Sequence, residues 1–235
     1  MENKLDTIEE QQKIKFTKEL DKTSFYHLED IFGIFDECST GYKDSVQSYI
    51  VGGAIRDMLT GNKPKDFDIV TSIPYNLLET YFAKAGWTVS RTGKAFFVLS
   101  IQKDGRQYEI ANFRKDGIYL DGRRPETVEI GTLKDDAQRR DFTVNALYYN
   151  YVTGELKDPT GRGFEDVNRK VLRFIGKPKE RIKEDYLRIF RFYRFLAKGF
   201  FPDPKSLRAC REFFNEGYPK ISPDRVREEL EKMTL

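Results

Sequence analysis

Asp66 and Asp68 stand one residue apart in Lys65-Asp66-Phe67-Asp68-Ile69. On a strand, residues i and i+2 face the same way, so the two acids project together while Phe67 and Ile69 turn to the core. Crowded carboxylates repel unless a cation lies between them. A pair held this way suits a hard ion such as Mg²⁺, which can clamp the attacking and leaving oxygens of a phosphoryl transfer. An amphipathic strand with a solvated acidic face would carry the same short pattern.

Two further stretches have chemistry in their spacing. Gly52-Gly53-Ala54-Ile55-Arg56-Asp57 joins a short apolar run to a helical pattern. Glycines let the backbone approach a ligand closely, a helix N-terminus offers free N–H groups to phosphate, and Arg56 adds a charge-assisted donor. A tight strand-to-helix turn has the same composition. From Glu184 to Phe195 the spacing predicts a helix with Asp185 and Arg188 on one face, at i and i+3, and Arg191 and Arg194 extending that row. A carboxylate beside a guanidinium can read a base edge, accepting from an exocyclic amine and donating to a ring nitrogen. Cytosine and adenine offer that pattern; uracil and guanine set a carbonyl against the carboxylate and leave polar groups unpaired. A solvated helix laced by ion pairs is the alternative.

The elements that must position these residues read as follows. Residues 8–38 are helical in pattern. Strands are expected at 48–51, 66–71, 87–91, 95–102 and 107–112, with helices at 54–60 and 74–85. Gly93 and Asp104-Gly105 supply turns, and 61–65 is a loop. Residues 114–134 are polar, with several glycines and no period, and are expected to form a mobile loop. From about residue 178 the pattern is helical to the end. The fold class expected is α+β: a head with a mixed or antiparallel sheet flanked by helices, followed by an all-α neck. The division is an N-terminal helical segment over 1–47, a head over 48–176 and a neck over 177–235.

Composition excludes several classes. Of 235 residues, 39% are hydrophobic and 34% charged, and no apolar run approaches the length of a membrane span. His27 is the only histidine, which leaves carboxylates as the ligands of any metal. The net charge of +3 hides an asymmetry: residues 1–50 hold six lysines against eleven acids, a net of −5, so the rest carries +8. A basic body suits a polyanion. G-x-x-x-x-G-K-[ST] is absent, which disfavours kinase-like readings. Two cysteines and an acid-rich start without an apolar signal core point to the cytoplasm, or to an organelle matrix.

In combination, Gly52-Gly53-x-x-Arg56-Asp57 followed by Asp66-x-Asp68 resembles the opening of the DNA polymerase beta nucleotidyltransferase superfamily, in its CCA-adding and bacterial poly(A) polymerase branch. Arg139-Arg140-Asp141-Phe142-Thr143-Val144-Asn145-Ala146 resembles that family's R-R-D-F-T-I-N-A motif, Glu184-Asp185-x-x-Arg188 its E-D-x-x-R motif, and 222–230 its last neck motif, with Asp224 where Glu is usual. Residues 113–125 resemble its flexible loop, and 158–163 its D-P-x-G-G turn with Arg162 inserted. The family continues beyond this neck into helical body and tail regions.

The resemblance implies template-independent addition of CCA to tRNA 3′ ends from CTP and ATP with Mg²⁺. Asp66 and Asp68 would hold the metal, and Glu109 would stand at the third acidic position. Gly52, Gly53, Arg56, Arg191 and Arg194 would hold the nucleotide's phosphates. Arg140 and Asp141 would contact the ribose, whose 2′-hydroxyl both donates and accepts, and Asp185 and Arg188 the base. An A-adding or poly(A) enzyme of the same family, and a non-catalytic RNA-binding module of this fold, are the alternatives.

Overall fold

The structure, a computed structural model, describes residues 27–40, 46–90, 98–117 and 126–234. Helix α1 (Leu28–Cys38) buries Leu28, Ile31, Phe32 and Phe35, the i, i+3, i+4, i+7 stripe of an amphipathic helix. β1 (Ser48–Val51) runs through Gly52 into α2 (Gly53–Leu59), and β2 (Asp68–Thr71) into α3 (Tyr75–Lys84) with Pro74 as its N-cap. β3 (Thr88–Ser90), β4 (Val98–Lys103) and β5 (Arg106–Asn112) form a meander. Asp104 and Gly105, both at positive φ, make the tight β4–β5 turn.

β6 (Arg114–Asp116) and β7 (Val128–Ile130) form a separate antiparallel ribbon leading to α4 (Leu133–Arg139). α4 is closed by a capping box in which Thr132 and Asp135 satisfy each other's backbone N–H. β8 (Tyr148–Tyr149) and β9 (Leu156–Lys157) complete one seven-stranded sheet of order β3-β4-β5-β2-β1-β8-β9. β2 and β5 are parallel and the other neighbours antiparallel, so the sheet is mixed, as expected.

Strand alternation gives the sheet two unlike faces. Ile50, Ile69, Leu99 and Ile110 bury against α1, α2 and α3. Tyr49, Val51, Val70 and Tyr148 bury in a smaller core with Ala137 of α4. Asp68 and Glu109 are register partners, and Val51 pairs with Asp68 on the other side. The same alternation puts both acids on the α4 face, where that smaller core ends.

α5 (Gly163–Asn168) and β10 (Val171–Leu172) lead out of the head. The neck stacks α6 (Pro178–Glu184), α7 (Leu187–Ala197), α8 (Pro204–Gly217) and α9 (Pro223–Thr234), with β11 (Phe201–Pro202) pairing in parallel with β10. Head and neck share an aromatic seam: Phe142 packs on Phe174, Phe192 and Phe195 with ring centroids 4.8–6.1 Å apart. Removing one such buried ring by Phe→Ala costs about 3–5 kcal/mol.

Four expectations are corrected. The second strand starts at Asp68, so Asp66 lies in the loop before it. Within 114–134 the described residues, 114–117 and 126–134, hold the β6–β7 ribbon and the start of α4, while 118–125 lie outside the described residues; three-residue strands rich in charge show no period to read, and their order comes from the pairing itself. The helix expected through Asp185 breaks there. Asp185 is extended (φ −151°, ψ 106°), and its side chain accepts the N–H of Leu187, a local bond that competes with continuing the helix. The helical neck is interrupted by β11, which extends a strand pair begun in the head. The expected helix over 8–26, the strand ends at 91 and 95–97, and Gly93 lie outside the described residues.

Candidate active site

The site is a cleft of about 1330 Å³ between head and neck. The end of β1, the start of β2, the residues after α4, and the α6–α7 junction all face it. Gly52, Gly53, Arg56, Asp66, Asp68, Arg140, Asp141, Asp185, Arg188, Arg191 and Arg194 line it together, although they come from stretches more than a hundred residues apart. Glu109 does not line it; it stands beside Asp68 on the neighbouring strand. Among the described residues no three His, Cys, Asp or Glu side chains group closely enough to hold a metal alone.

The carboxylate floor is electrostatically loaded. Asp68 can be reached by solvent, yet protein surrounds it at the base of the cleft. Burial, and then the negative charges of Asp66 and Glu109, push its carboxyl above the usual value, against the pull of Arg140. A cation there would relieve the repulsion.

Gly52 bridges this floor to the arginines. Its φ of +82° belongs to glycine, and a Cβ built there would stand 3.5 Å from an Arg140 nitrogen and 3.7 Å from an Asp68 oxygen. Gly52→Ala should therefore strain the β1–α2 turn by about 1–3 kcal/mol. Gly53→Ala, at ordinary φ and facing only the Arg56 guanidinium, should cost far less. Thermal melts of the two variants check this; equal losses would mean the turn does not require glycine at Gly52.

Each arginine is fixed by a partner. Arg56 donates to Asp57 at 2.6 and 2.8 Å and to the Asn145 side chain at 2.6 Å, and lies over the Phe195 ring. Arg191 pairs with Asp141 at 2.8 Å and Arg194 with Glu229 at 2.7 Å. Arg140 donates to Asp136 and to the Tyr148 hydroxyl, both at 3.1 Å, and Tyr148 donates to Asp136 at 2.8 Å. Asp141 also accepts from the Phe142 N–H and the Asn145 amide. Burial pushes its carboxyl up, but Arg191, Asn145 and Arg188 together hold it below the usual value, so it stays ionised.

Asp185 and Arg188 are held in place from both sides. One Arg225 nitrogen donates to both Asp185 oxygens at 3.2 Å. Arg188 donates to Glu184 at 2.6 Å and to the backbone of Arg181, and reaches the carbonyl of Arg139 at 3.3 Å. Arg181 donates to the carbonyls of Arg139 and Arg140. Those last contacts tie the neck to the head motif, so the two residues expected at the base are held relative to those expected at the ribose.

Sequence reasoning missed Asp136, Tyr148, Arg181, Arg225 and Glu229. Arg225 and Glu229 lie within the 222–230 stretch that resembles the family's last neck motif, which gave the available signal. Asp136 and Tyr148 gave none that spacing alone could show.

Charge around the cleft favours a polyanion. Twelve Lys and Arg residues line it against seven Asp and Glu, an excess of five even with the acidic floor included. Burial, and then the positive charge of Arg194, Lys65 and Arg56, press the Lys198 ammonium below its usual value. Such a field suits a nucleotide's triphosphate.

Residues 48–173 match the model of the poly A polymerase head domain. This chain belongs to that family. Among curated relatives, it is 36% identical over 195 residues to a CCA-adding enzyme of Bacillus pumilus, covering 83% of this chain and 47% of the relative. It is 35% identical over 198 residues to human mitochondrial CCA tRNA nucleotidyltransferase 1, covering 82% of this chain and 45% of the relative. Solved structures agree: Bacillus stearothermophilus CCA-adding enzyme in complex with CTP superposes with TM-score 0.71 at 30% identity, over 88% of this chain and 48% of that one. Thermotoga maritima CCA-adding enzyme complexed with tRNA-CCA superposes with TM-score 0.72 at 27% identity, over 93% and 50%. The chain thus spans about half the length of the curated relatives it matches. In this poly A polymerase head-domain chain, the four-helix neck extends past the matched segment; of the eleven sequence-predicted residues that line the cleft, seven lie in the matched segment and four, Asp185, Arg188, Arg191 and Arg194, lie in the neck.

Proposed function

We propose that this chain transfers nucleotidyl groups from CTP and ATP, without a template, to the 3′ end of RNA, and that its substrate is a tRNA lacking CCA. The observation that carries this reading is the convergence in one cleft of an acidic pair, a surplus of cations and a fixed Asp–Arg pair. The relatives named for CCA addition, and those solved with CTP and with tRNA, support it. We take residues 48–176 as the catalytic head, 177–235 as the neck and 1–47 as an N-terminal helical segment whose α1 packs into the core of the head. A reducing compartment, cytoplasm or organelle matrix, suits Cys38 and Cys210, which are free and buried with thiols pushed up to about 11 and about 12. No helix among the described residues is long and apolar enough to cross a membrane.

The donor set fits Mg²⁺. This ion is bound by one or two carboxylates, completing its shell with water and substrate phosphates, and Asp66 and Asp68 offer that number. Bound there, it would neutralise charge developing on the transferring phosphoryl group. The chain's own residues do the rest. Arg56, Arg191 and Arg194, with the backbone at Gly52 and Gly53, hold the phosphates. Arg140 and Asp141 meet the ribose. Asp185 accepts the exocyclic amine of cytosine or adenine while Arg188 donates to the ring.

The primer's 3′-oxygen bonds to the α-phosphorus, the bond from that phosphorus to the bridging oxygen breaks, and pyrophosphate leaves with its electron pair. The hydroxyl proton passes to Glu109 or to water beside it. Because the arginines, Asp141 and Asp185 are already held by partners, positioning and electrostatics supply the acceleration.

Arg225 acts through Asp185. Arg225→Ala loses a charge-assisted bond of about 1.5 kcal/mol, so CTP and ATP should bind roughly tenfold more weakly. Discrimination against UTP should fall with it. Steady-state kinetics with all four NTPs check this; unchanged discrimination would remove Asp185 from base reading.

The test of the whole reading uses a tRNA transcript lacking CCA, Mg²⁺ and labelled NTPs singly and mixed, resolved at single-nucleotide length. C, C, then A with stopping is expected. A-only extension or a long ladder of A would move the reading to an A-adding or poly(A) enzyme, and no incorporation would leave an RNA-binding module.

A further inference from the structure

Arg181, in α6, does not line the nucleotide cleft, yet it is bonded to residues on both of the cleft's walls. One of its terminal nitrogens donates to two successive head carbonyls: that of Arg139, the last residue of α4, and, at 2.9 Å, that of Arg140. The last carbonyls of a helix have no partner within it. Here a neck side chain supplies the donor. The other terminal nitrogen of Arg181 pairs with Glu184. Glu184 also accepts from Arg188 at 2.6 Å, and Arg188 donates to the Arg181 carbonyl at 2.7 Å. The Arg181 side chain thus holds the backbone that carries Arg140 and Asp141, while its carbonyl and its partner Glu184 hold Arg188.

We infer that Arg181 is a positioning residue for nucleotide choice, setting the separation between the groups that read the base and those that read the ribose; this rests on the nucleotidyl-transfer reading above. Selection of both base and sugar then depends on a side chain that touches neither.

Three observations point there. Arg191 and Asp141 form another tie between neck and head, at 2.8 Å, but both line the cleft, where a triphosphate and a ribose compete for them. Arg181 and Glu184 stand outside the cleft lining, so a bound nucleotide leaves their bonds in place. The segment held is also the one that aims side chains at the ligand. The Arg139 and Arg140 carbonyls are taken by Arg181, and the Asp141 carbonyl accepts the Ile175 N–H at 3.1 Å. Turning this segment would break those bonds. Finally, Arg188 is close enough to help hold the Asp141 carboxyl below its usual value, so the two readers are already electrostatic neighbours.

The experiment compares Arg181→Ala and Arg181→Lys with Arg225→Ala, all in the whole chain. Calorimetry measures the affinity of each for CTP, UTP, dCTP and pyrophosphate. Melting curves report the fold, and incorporation is measured on a tRNA transcript lacking CCA. In Arg181→Ala the preference for CTP over UTP and the preference for CTP over dCTP should each fall about tenfold or more, since a misplacement of about 1 Å is worth up to about 10²-fold. Pyrophosphate affinity, carried by Arg56, Arg191 and Arg194, should stay at the wild-type value. Arg181→Lys should fall between, because one ammonium does not fork as a guanidinium does. Arg225→Ala should lose the base preference alone.

Both preferences unchanged in Arg181→Ala would overturn the inference. So would loss of the base preference alone, or pyrophosphate affinity falling in step with CTP affinity, the mark of a generally disordered cleft. If the alanine variant does not fold, Arg181→Lys decides by the same three criteria. A wild-type chain that binds CTP, UTP and dCTP alike, or binds none of them, would also overturn it. If the wild-type chain shows both preferences yet incorporates nothing, the nucleotidyl-transfer reading fails while the binding data still decide the role of Arg181. If it incorporates normally and both Arg181 variants keep both preferences, the role of Arg181 alone fails.

Discussion

Asp68→Asn should reduce nucleotide incorporation by about 10³-fold or more, the scale on which a lost electrostatic stabiliser of the transition state is felt, while the protein melts at or above the wild-type temperature. The two halves of this expectation have one cause. Burial and the charges of Asp66 and Glu109 raise the Asp68 pKa, so the ionised form is held at a cost in the folded state. An acid with a raised folded pKa makes the protein relatively less stable once pH climbs above that pKa. The amide keeps the shape and removes the charge, which relieves the folded state and deprives a bound cation of its ligand. CTP binding, carried by the arginines and the Asp185 pair, should change only a few-fold. A single-turnover assay beside a melting curve tests both halves. Incorporation within tenfold of wild type would remove Asp68 from the metal site. A melting temperature several degrees lower would mean that Asp68 is a structural partner of Arg140 first.

Asp136→Asn should destabilise the fold by about 3–5 kcal/mol, the cost of breaking a buried ion pair from one side. Asp136 is fully buried; Arg139 donates to it at 2.5 and 2.8 Å, Arg140 pairs with it at 3.0 Å, and the Tyr148 hydroxyl donates at 2.8 Å. An asparagine cannot accept from all three, and two half-buried guanidinium groups lose their counter-charge. Burial pushes the Asp136 carboxyl up, but Arg140, Arg139 and Tyr148 more than reverse this and hold it below the usual value.

A depressed acid contributes stability that is present above the unfolded pKa of about 4 and is lost as pH falls through the folded one. Wild type should therefore lose stability in that acid window, and the variant should lose less there. Tyr148→Phe, which removes one neutral donor, should cost about 1 kcal/mol. Urea unfolding at neutral and acid pH measures all three. If Asp136→Asn costs no more than Tyr148→Phe, the network does not hold Arg140. Where the variant still folds, a rise in nucleotide KM larger than the fall in kcat would show that Asp136 acts by aiming Arg140 at its ligand.

Much of this protein was readable in the chain because it is written in short-range terms. Alternation marked Phe67 and Ile69 as core, which they are, and the paired glycines marked the turn after β1. Asp66 and Asp68 were visible as a pair because two residues of extended backbone suffice to aim them together, strand or not. The order of the motifs pointed to the family, and the predicted site residues other than Glu109 do line one cleft.

The sequence could not show what long-range packing decides. Asp185 leaves its helix because its side chain takes the Leu187 N–H and Arg225, forty residues on, takes its oxygens; the i, i+3 spacing with Arg188 alone predicted an unbroken face. Glu109 shares a row with Asp68 through parallel pairing, and only that pairing decides that it stands outside the nucleotide cleft. Asp136 looks like an ordinary first-turn helix acid until α4 is laid on the sheet and buries it with Arg140 and Tyr148. Local pattern determined which residues were candidates for chemistry. Tertiary packing decided their partners, because ion pairs and buried hydrogen bonds depend on distances that close only when β1, β2, α4 and the neck meet.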